Sequence, residues 1–145
     1  MSTADFTFTL LTDQTPQQVF KAITNVRAWW SGYHAENVEG GTEQQGDEFT
    51  FSAADGLHVT RQKLVEVIPD RRVVWLVTHS ALNYLQQPAE WTGTRVRFDI
   101  AEKGGQTELV FTHEGLTPDI ECYDSCAPSW TQYLQNKLAP MIGAS

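Results

Sequence analysis

Residues 92–113, TGTRVRFDIAEKGGQTELVFTH, decide the fold. Thr94, Val96, Phe98 and Ile100 alternate with Arg95, Arg97 and Asp99. That period of two marks a strand with one covered and one wet face. Gly104-Gly105 makes a hairpin turn, and Leu109, Phe111 and His113 share one face of the strand that follows. Immediately upstream, residues 72–80 place Val73, Trp75, Val77 and His79 on one face and Val74 and Leu76 on the other. Pro69-Asp70 opens a tight turn before them, because proline presets φ at the second turn position. Residues 57–68, LHVTRQKLVEVI, form a long strand, and Gly40-Gly41 with Gly46 brackets a further hairpin that sends Phe49 and Phe51 to one face.

The flanks of this meander are helical. Residues 5–12, DFTFTLLT, alternate as a first strand. Thr15-Pro16-Gln17-Gln18 then combines an N-cap, a first-turn proline and the glutamine of a capping box, and leads into a helix carrying Val19, Phe20 and Ile23. A second short helical turn holds Val26, Trp29 and Trp30. At the other end, Thr117-Pro118-Asp119 reads as a helix start, and Trp130, Leu134, Leu138 and Met141 or Ile142 recur at helical spacing. Pro128 is expected to kink that helix or restart it with Ser125 as a new cap, and Pro140 to limit its far end. Because sequential strands usually pair, the expected fold is α+β: an antiparallel sheet of about six to seven strands, curved around a long C-terminal helix, with two short helices after the first strand.

Composition bounds the function. The 145 residues suit one domain, here 1–145, large enough to bury a core without metal or disulfide staples. Ten Lys and Arg against 18 Asp and Glu leave a net charge of −8, which argues against nucleic-acid and membrane-surface partners. No apolar run approaches the ~20 residues of a spanning helix, and the N-terminus has no secretory pattern. Cys122 and Cys126 are the only cysteines and are expected as small apolar packing residues in a reducing cytoplasm.

Several stretches resemble the START-like (SRPBCC, Bet v 1-like) superfamily, and within it the branch named after the activator of the heat-shock protein 90 ATPase. They are Thr15-Pro16-Gln17-Gln18-Val19-Phe20-Lys21-Ala22, the pair Trp29-Trp30, the run Glu66 to Trp75, the Gly105-Gln106-Thr107-Glu108-Leu109 strand start and the tail from Trp130 to Ile142. Ser129 stands where the branch tends to have glycine before the helix tryptophan. The resemblance implies a helix-grip fold with a cavity between sheet and helix that often holds an apolar ligand. It also implies a possible chaperone partner.

No catalytic set is readable. The chain lacks a GxSxG elbow, a phosphate-binding loop and a pocketed carboxylate pair. His34, His58, His79 and His113 form no compact ligand motif, so neither a metal nor another cofactor is expected. Cys122 and Cys126 also lack the CxxC spacing of thiol–disulfide enzymes.

The expected site lies on the covered face of the sheet. In an antiparallel meander His79 and His113 fall at the same end, roughly 10 Å apart, with Thr94 between them. They would form a polar rim on an aromatic cavity, although strand-end histidines facing solvent are the plainer alternative. The candidate ligand-binding residues are Trp30, Tyr33, Phe51, Trp75, Val77, His79, Thr94, Phe98, Phe111, His113, Trp130 and Leu134. Of Trp29 and Trp30, one is expected to anchor its helix and the other to cover the cavity mouth partly. Val74 and Leu76 are open as ordinary exposed residues or as part of a homodimer surface. The first functional expectation is binding of a small apolar or aromatic ligand. The alternatives are regulation of a heat-shock chaperone ATPase, and a cyclase or hydrolase using His79 or His113.

Overall fold

The computed structural model describes residues 4–144. Strand β1 (Phe6–Thr12) is followed by helices α1 (Pro16–Thr24) and α2 (Val26–Trp29). Then come β2 (Asn37–Gly40), β3 (Glu48–Ala53), β4 (His58–Ile68), β5 (Arg72–Leu82), β6 (Arg95–Lys103) and β7 (Gln106–Glu114). The chain closes with helix α3 (Tyr123–Tyr133), which continues through a wide π turn at Leu134–Leu138 into α4 (Ala139–Met141). The seven strands form one sheet in the order β1-β7-β6-β5-β4-β3-β2, each pair antiparallel. This is the helix-grip arrangement that the alternation and turn signals specify.

Local chemistry explains the helix boundaries of the N-terminal half. The Thr15 backbone N–H donates to Gln18 Oε1 at 2.9 Å, and the Gln18 backbone N–H donates to Thr15 Oγ1 at 3.1 Å. This reciprocal pair satisfies two donors that the first turn would otherwise leave open. Thr15→Ala is therefore expected to cost about 1 kcal/mol in urea unfolding. A loss below a few tenths would mean that solvent replaces the cap freely.

The C-terminal helix departs from its local signals. Thr117, Pro118 and Asp119 lie in a turn rather than in the first turn of the helix, which begins at Tyr123. Its cap comes from a distant loop: the Glu90 carboxylate accepts from the backbone N–H groups of Glu121 and Cys122, both at 2.8 Å. Glu121 returns the favour by accepting from the N–H groups of Gln86 and Gln87 at 2.9 and 3.0 Å. Pro128 sits inside α3 without ending it, and Ser125 is no cap, since its hydroxyl donates to the Cys122 carbonyl at 3.1 Å. The π turn ends two residues before Pro140, whose ring in a regular α turn would collide with the carbonyl four residues back. The expected pair of packing thiols is a disulfide: Cys122 and Cys126 are joined across one helical turn, with Cα atoms 5.5 Å apart.

The core lies between the sheet's covered face and the helices. All five tryptophans (Trp29, Trp30, Trp75, Trp91 and Trp130) are buried in it. Trp29 and Trp30 are both buried: Trp29 Nε1–H donates to the Ile23 carbonyl at 3.1 Å, and Trp30 lies alongside it. Helix α2 ends at Trp29, and Trp30 leaves helical geometry (φ −91°, ψ 61°), so the chain swings the second indole parallel to the first. On the outer face Arg72, Asp99, Arg97 and Glu114 form a chain of ion pairs at 2.8–2.9 Å. Val74 pairs across with Arg97 and is buried beside that chain, so it presents no apolar patch for a dimer.

Candidate functional site

A pocket of about 220 Å³ opens between the N-terminal half of α3 and the β3–β4 end of the sheet. Phe51 and Ala53 of β3, Ala54 and His58 form one wall. Cys126, Ser129, Trp130 and Tyr133, with Ser125, form the helical wall at spacings of three and four residues. Trp30 and His34 close one side, and Tyr84 and Trp91 of the β5–β6 loop close the other. The Ala54 N–H donates to the His34 carbonyl at 2.8 Å, which ties the His34 loop to the end of β3. The floor is aromatic: Trp30 stacks on Phe51 at 3.7 Å between ring centroids, and Trp130 lies parallel to Trp91 at 5.9 Å.

Among the twelve residues nominated from sequence, Trp30, Phe51 and Trp130 line this pocket. Trp75, Val77, Phe98, Phe111 and Leu134 are buried in the core behind its wall. Tyr33 packs edge-on against Tyr133 at 5.3 Å, under the Lys137 ammonium.

His79 is a correction. A β-bulge between Arg61 and Gln62 leaves Thr78 as an extra residue in β5, since Arg61 pairs with His79 and Gln62 with Val77. Every residue beyond it changes face, so Ser80 and Leu82 turn inward and His79 is exposed.

Thr94 and His113 do meet, as expected, but as framework. Trp130 Nε1–H donates to His113 Nδ1 at 3.0 Å, which forces the proton onto Nε2. That N–H donates to Thr94 Oγ1 at 2.9 Å, and the Thr94 hydroxyl in turn donates to the Trp91 carbonyl at 2.6 Å. Both imidazole nitrogens are thus occupied. Burial pushes the His113 pKa down to about 3, so the ring is neutral at physiological pH. It fixes the indole of Trp130 and, through Thr94, the backbone of Trp91, and is not free to act as an acid or base.

The polar side chains of the pocket, His34, His58, Tyr84, Ser125, Ser129 and Tyr133, were not among the nominated residues. Burial, aided by nearby His34, lowers the His58 pKa to about 4. Its Nδ1 lies 3.3 Å from the Tyr84 hydroxyl. Burial and then the charge of Glu90 push the Tyr84 pKa up. Tyr133 donates to Glu36 Oε2 at 2.6 Å; burial raises the tyrosine's pKa, and so does that carboxylate. Burial also pushes Glu36 up, but hydrogen bonds from Tyr133 and the backbone outweigh it and leave its pKa below the usual range. The helical spacing of Cys126, Ser129, Trp130 and Tyr133 was a usable signal. Tyr84 and Trp91 sit in a loop with no periodicity, and nothing local marks them.

Among the described residues no group of three or more His, Cys, Asp or Glu could hold a metal ion, and no helix is long and apolar enough to cross a membrane.

Comparison with known proteins follows the same lines. A solution structure of the Aha1 dimer from Colwellia psychrerythraea superposes with a TM-score of 0.73 at 19% identity, over 96% of each chain. The crystal structure of protein CV1439 from Chromobacterium violaceum gives 0.65 at 18% identity, over 94% of this chain and 96% of that one. CalU16 from Micromonospora echinospora gives 0.62 at 16% identity, over 94% of this chain and 74% of that one. At these identities the likeness is one of fold. No curated protein matches the chain closely enough to count as a relative. The family described as activator of Hsp90 ATPase homolog 1-like protein matches residues 13–143. With nearly the whole chain matched, the protein belongs to that family, in the START-like branch its turns and helix ends resemble.

Proposed function

We propose that this protein binds a small apolar or aromatic molecule in the pocket between α3 and the sheet. The observation that carries the reading is the pocket's make-up: aromatic walls from four separate elements with a few polar groups, the usual composition of a small-molecule site. Its volume of about 220 Å³ exceeds the roughly 150 Å³ at which an engineered apolar cavity accepts benzene. A one- or two-ring molecule is therefore the right size. Neither histidine nominated for acid–base chemistry serves the pocket, because His79 is outside and His113 is fully bonded.

The test is native mass spectrometry on gently purified protein, before and after organic extraction. The expected result is an extra mass that leaves on extraction and is missing from Ala53→Phe, which fills the pocket. A clean mass, together with no shift in melting temperature across a library of aromatic and lipid-like compounds, would reject the reading.

A second reading, regulation of a chaperone ATPase, is favoured by the family description and by the Aha1 relative. Stimulation of a purified Hsp90 ATPase would support it, and no stimulation at saturating protein would remove it. That relative is a dimer, so the same preparation is also to be sized by light scattering for a homodimer.

A further inference from the structure

The aromatic floor of the pocket is shut off from solvent: Trp30, Phe51, Trp91 and Trp130 are each no more than 2% exposed. A one- or two-ring molecule can lie against them only if part of the rim gives way.

The parts of the rim differ in how they are fastened. β3 and β4 are held in the ladder of the sheet. The loop with Tyr84 and Trp91 is tied to the head of α3 by the four bonds of Glu90 and Glu121, at 2.8–3.0 Å. Residues 31–36, which bring His34 to the pocket, are joined to the rest of the protein by two hydrogen bonds among the described residues. The Ala54 N–H donates to the His34 carbonyl at 2.8 Å, and Tyr133 donates to Glu36 Oε2 at 2.6 Å. The Tyr33 ring adds its contacts with Tyr133 and Lys137.

The same segment is built to move as one piece. Glu36 also accepts from the backbone N–H groups of Gly32 and Tyr33, both at 3.0 Å, so the turn carries hydrogen bonds of its own. Gly32, His34 and Ala35 are exposed, so nothing packs over it from outside. Ala35 is held at φ +53°, a conformation that costs an L residue free energy. The closed form is therefore kept by its contacts with Tyr133, Lys137 and Ala54 and not by backbone preference. Resting on the ligand-binding reading above, we infer that residues 31–36 are the gate of the pocket: the segment swings out as a unit when Glu36 releases Tyr133, and its return closes His34 over the ligand.

Two measurements on the intact protein and on Glu36→Ala test this. Hydrogen exchange reports opening without any ligand. The variant is expected to lose about tenfold in protection at the Ala54 amide, the worth of one hydrogen bond to a charged group, with the amides of Glu121 and Cys122 unchanged. Stopped-flow binding of N-phenyl-1-naphthylamine reports passage. Its association and dissociation rates are expected to rise together by about tenfold in the variant, with a smaller change in affinity. Should Glu36→Ala fail to fold, Tyr133→Phe removes the same bond and keeps the ring. Unchanged protection at Ala54, or a rise in the dissociation rate alone, overturns the gate and leaves the ligand-binding reading standing. Binding of the probe to neither protein, together with a clean native mass, removes both.

Discussion

Replacing His113 by alanine is expected to cost about 4 kcal/mol of folding stability, the sum of a cavity and an orphaned buried donor. The imidazole is fully buried and bonded on both nitrogens, to Trp130 and Thr94. Its removal leaves the Trp130 N–H with no acceptor and the Thr94 hydroxyl with no donor. His113→Gln carries an acceptor and a donor on one short amide and should lose about half as much. Urea unfolding followed by tryptophan emission measures both. A loss within about 1 kcal/mol for the alanine variant would mean that water or a neighbour takes over the imidazole's bonds, contrary to the role assigned here. The same variants should weaken pocket binding, because His113 holds the indole of Trp130 and, through Thr94, the backbone of Trp91.

Acid is expected to destabilise the protein well above the pH at which carboxylates titrate. His113 and His58 have folded pKa values pushed down by burial to about 3 and about 4, from an ordinary 6.5. Their pKa is thus lower in the folded state than in the unfolded one. Below pH 6.5 the unfolded chain binds protons that the folded chain refuses, so stability is full above that pH and falls as pH drops toward 4 and then 3. Each ring should remove roughly 2 kcal/mol between about pH 7 and about pH 5. Urea midpoints across that range give the slope. His113→Gln should roughly halve the dependence although it is less stable overall. A flat profile would show that both imidazoles take up protons in the folded state.

How much of this was legible in the sequence varies with the range of the interaction involved. The alternation in residues 94–113 gave β6, β7 and their turn, and Thr15 to Gln18 gave the start of α1, because those signals act between residues a few positions apart. His79 was misplaced by one residue's worth of geometry. Strict alternation from Val73 puts it inside, and the bulge at Thr78 is a property of how β5 registers on β4. The start of α3 was misplaced for a similar reason, since its cap is Glu90, about thirty residues upstream. The two tryptophans at 29 and 30 could not both be placed inward without knowing that the helix stops between them.

The candidate site divides in the same way. Trp30, Phe51 and Trp130 were readable as covered-face aromatics on a helix turn, a strand and a helix. His58 begins a strand, and Tyr84 and Trp91 lie in the loop between β5 and β6, where neither period applies. They reach the pocket only because Glu90 and Glu121 lash that loop to the head of α3.

By itself the sequence determined the element order, the antiparallel sheet, the face each strand buries up to its first bulge, and an aromatic core. Those follow from backbone sterics and from apolar periodicity, which operate within a turn or a strand. The tertiary structure decided which histidines are framework and which face the pocket, and where the last helix begins. Each of those depends on a hydrogen bond or register between segments far apart in the chain, and such pairings are set only when the whole sheet closes on its helix.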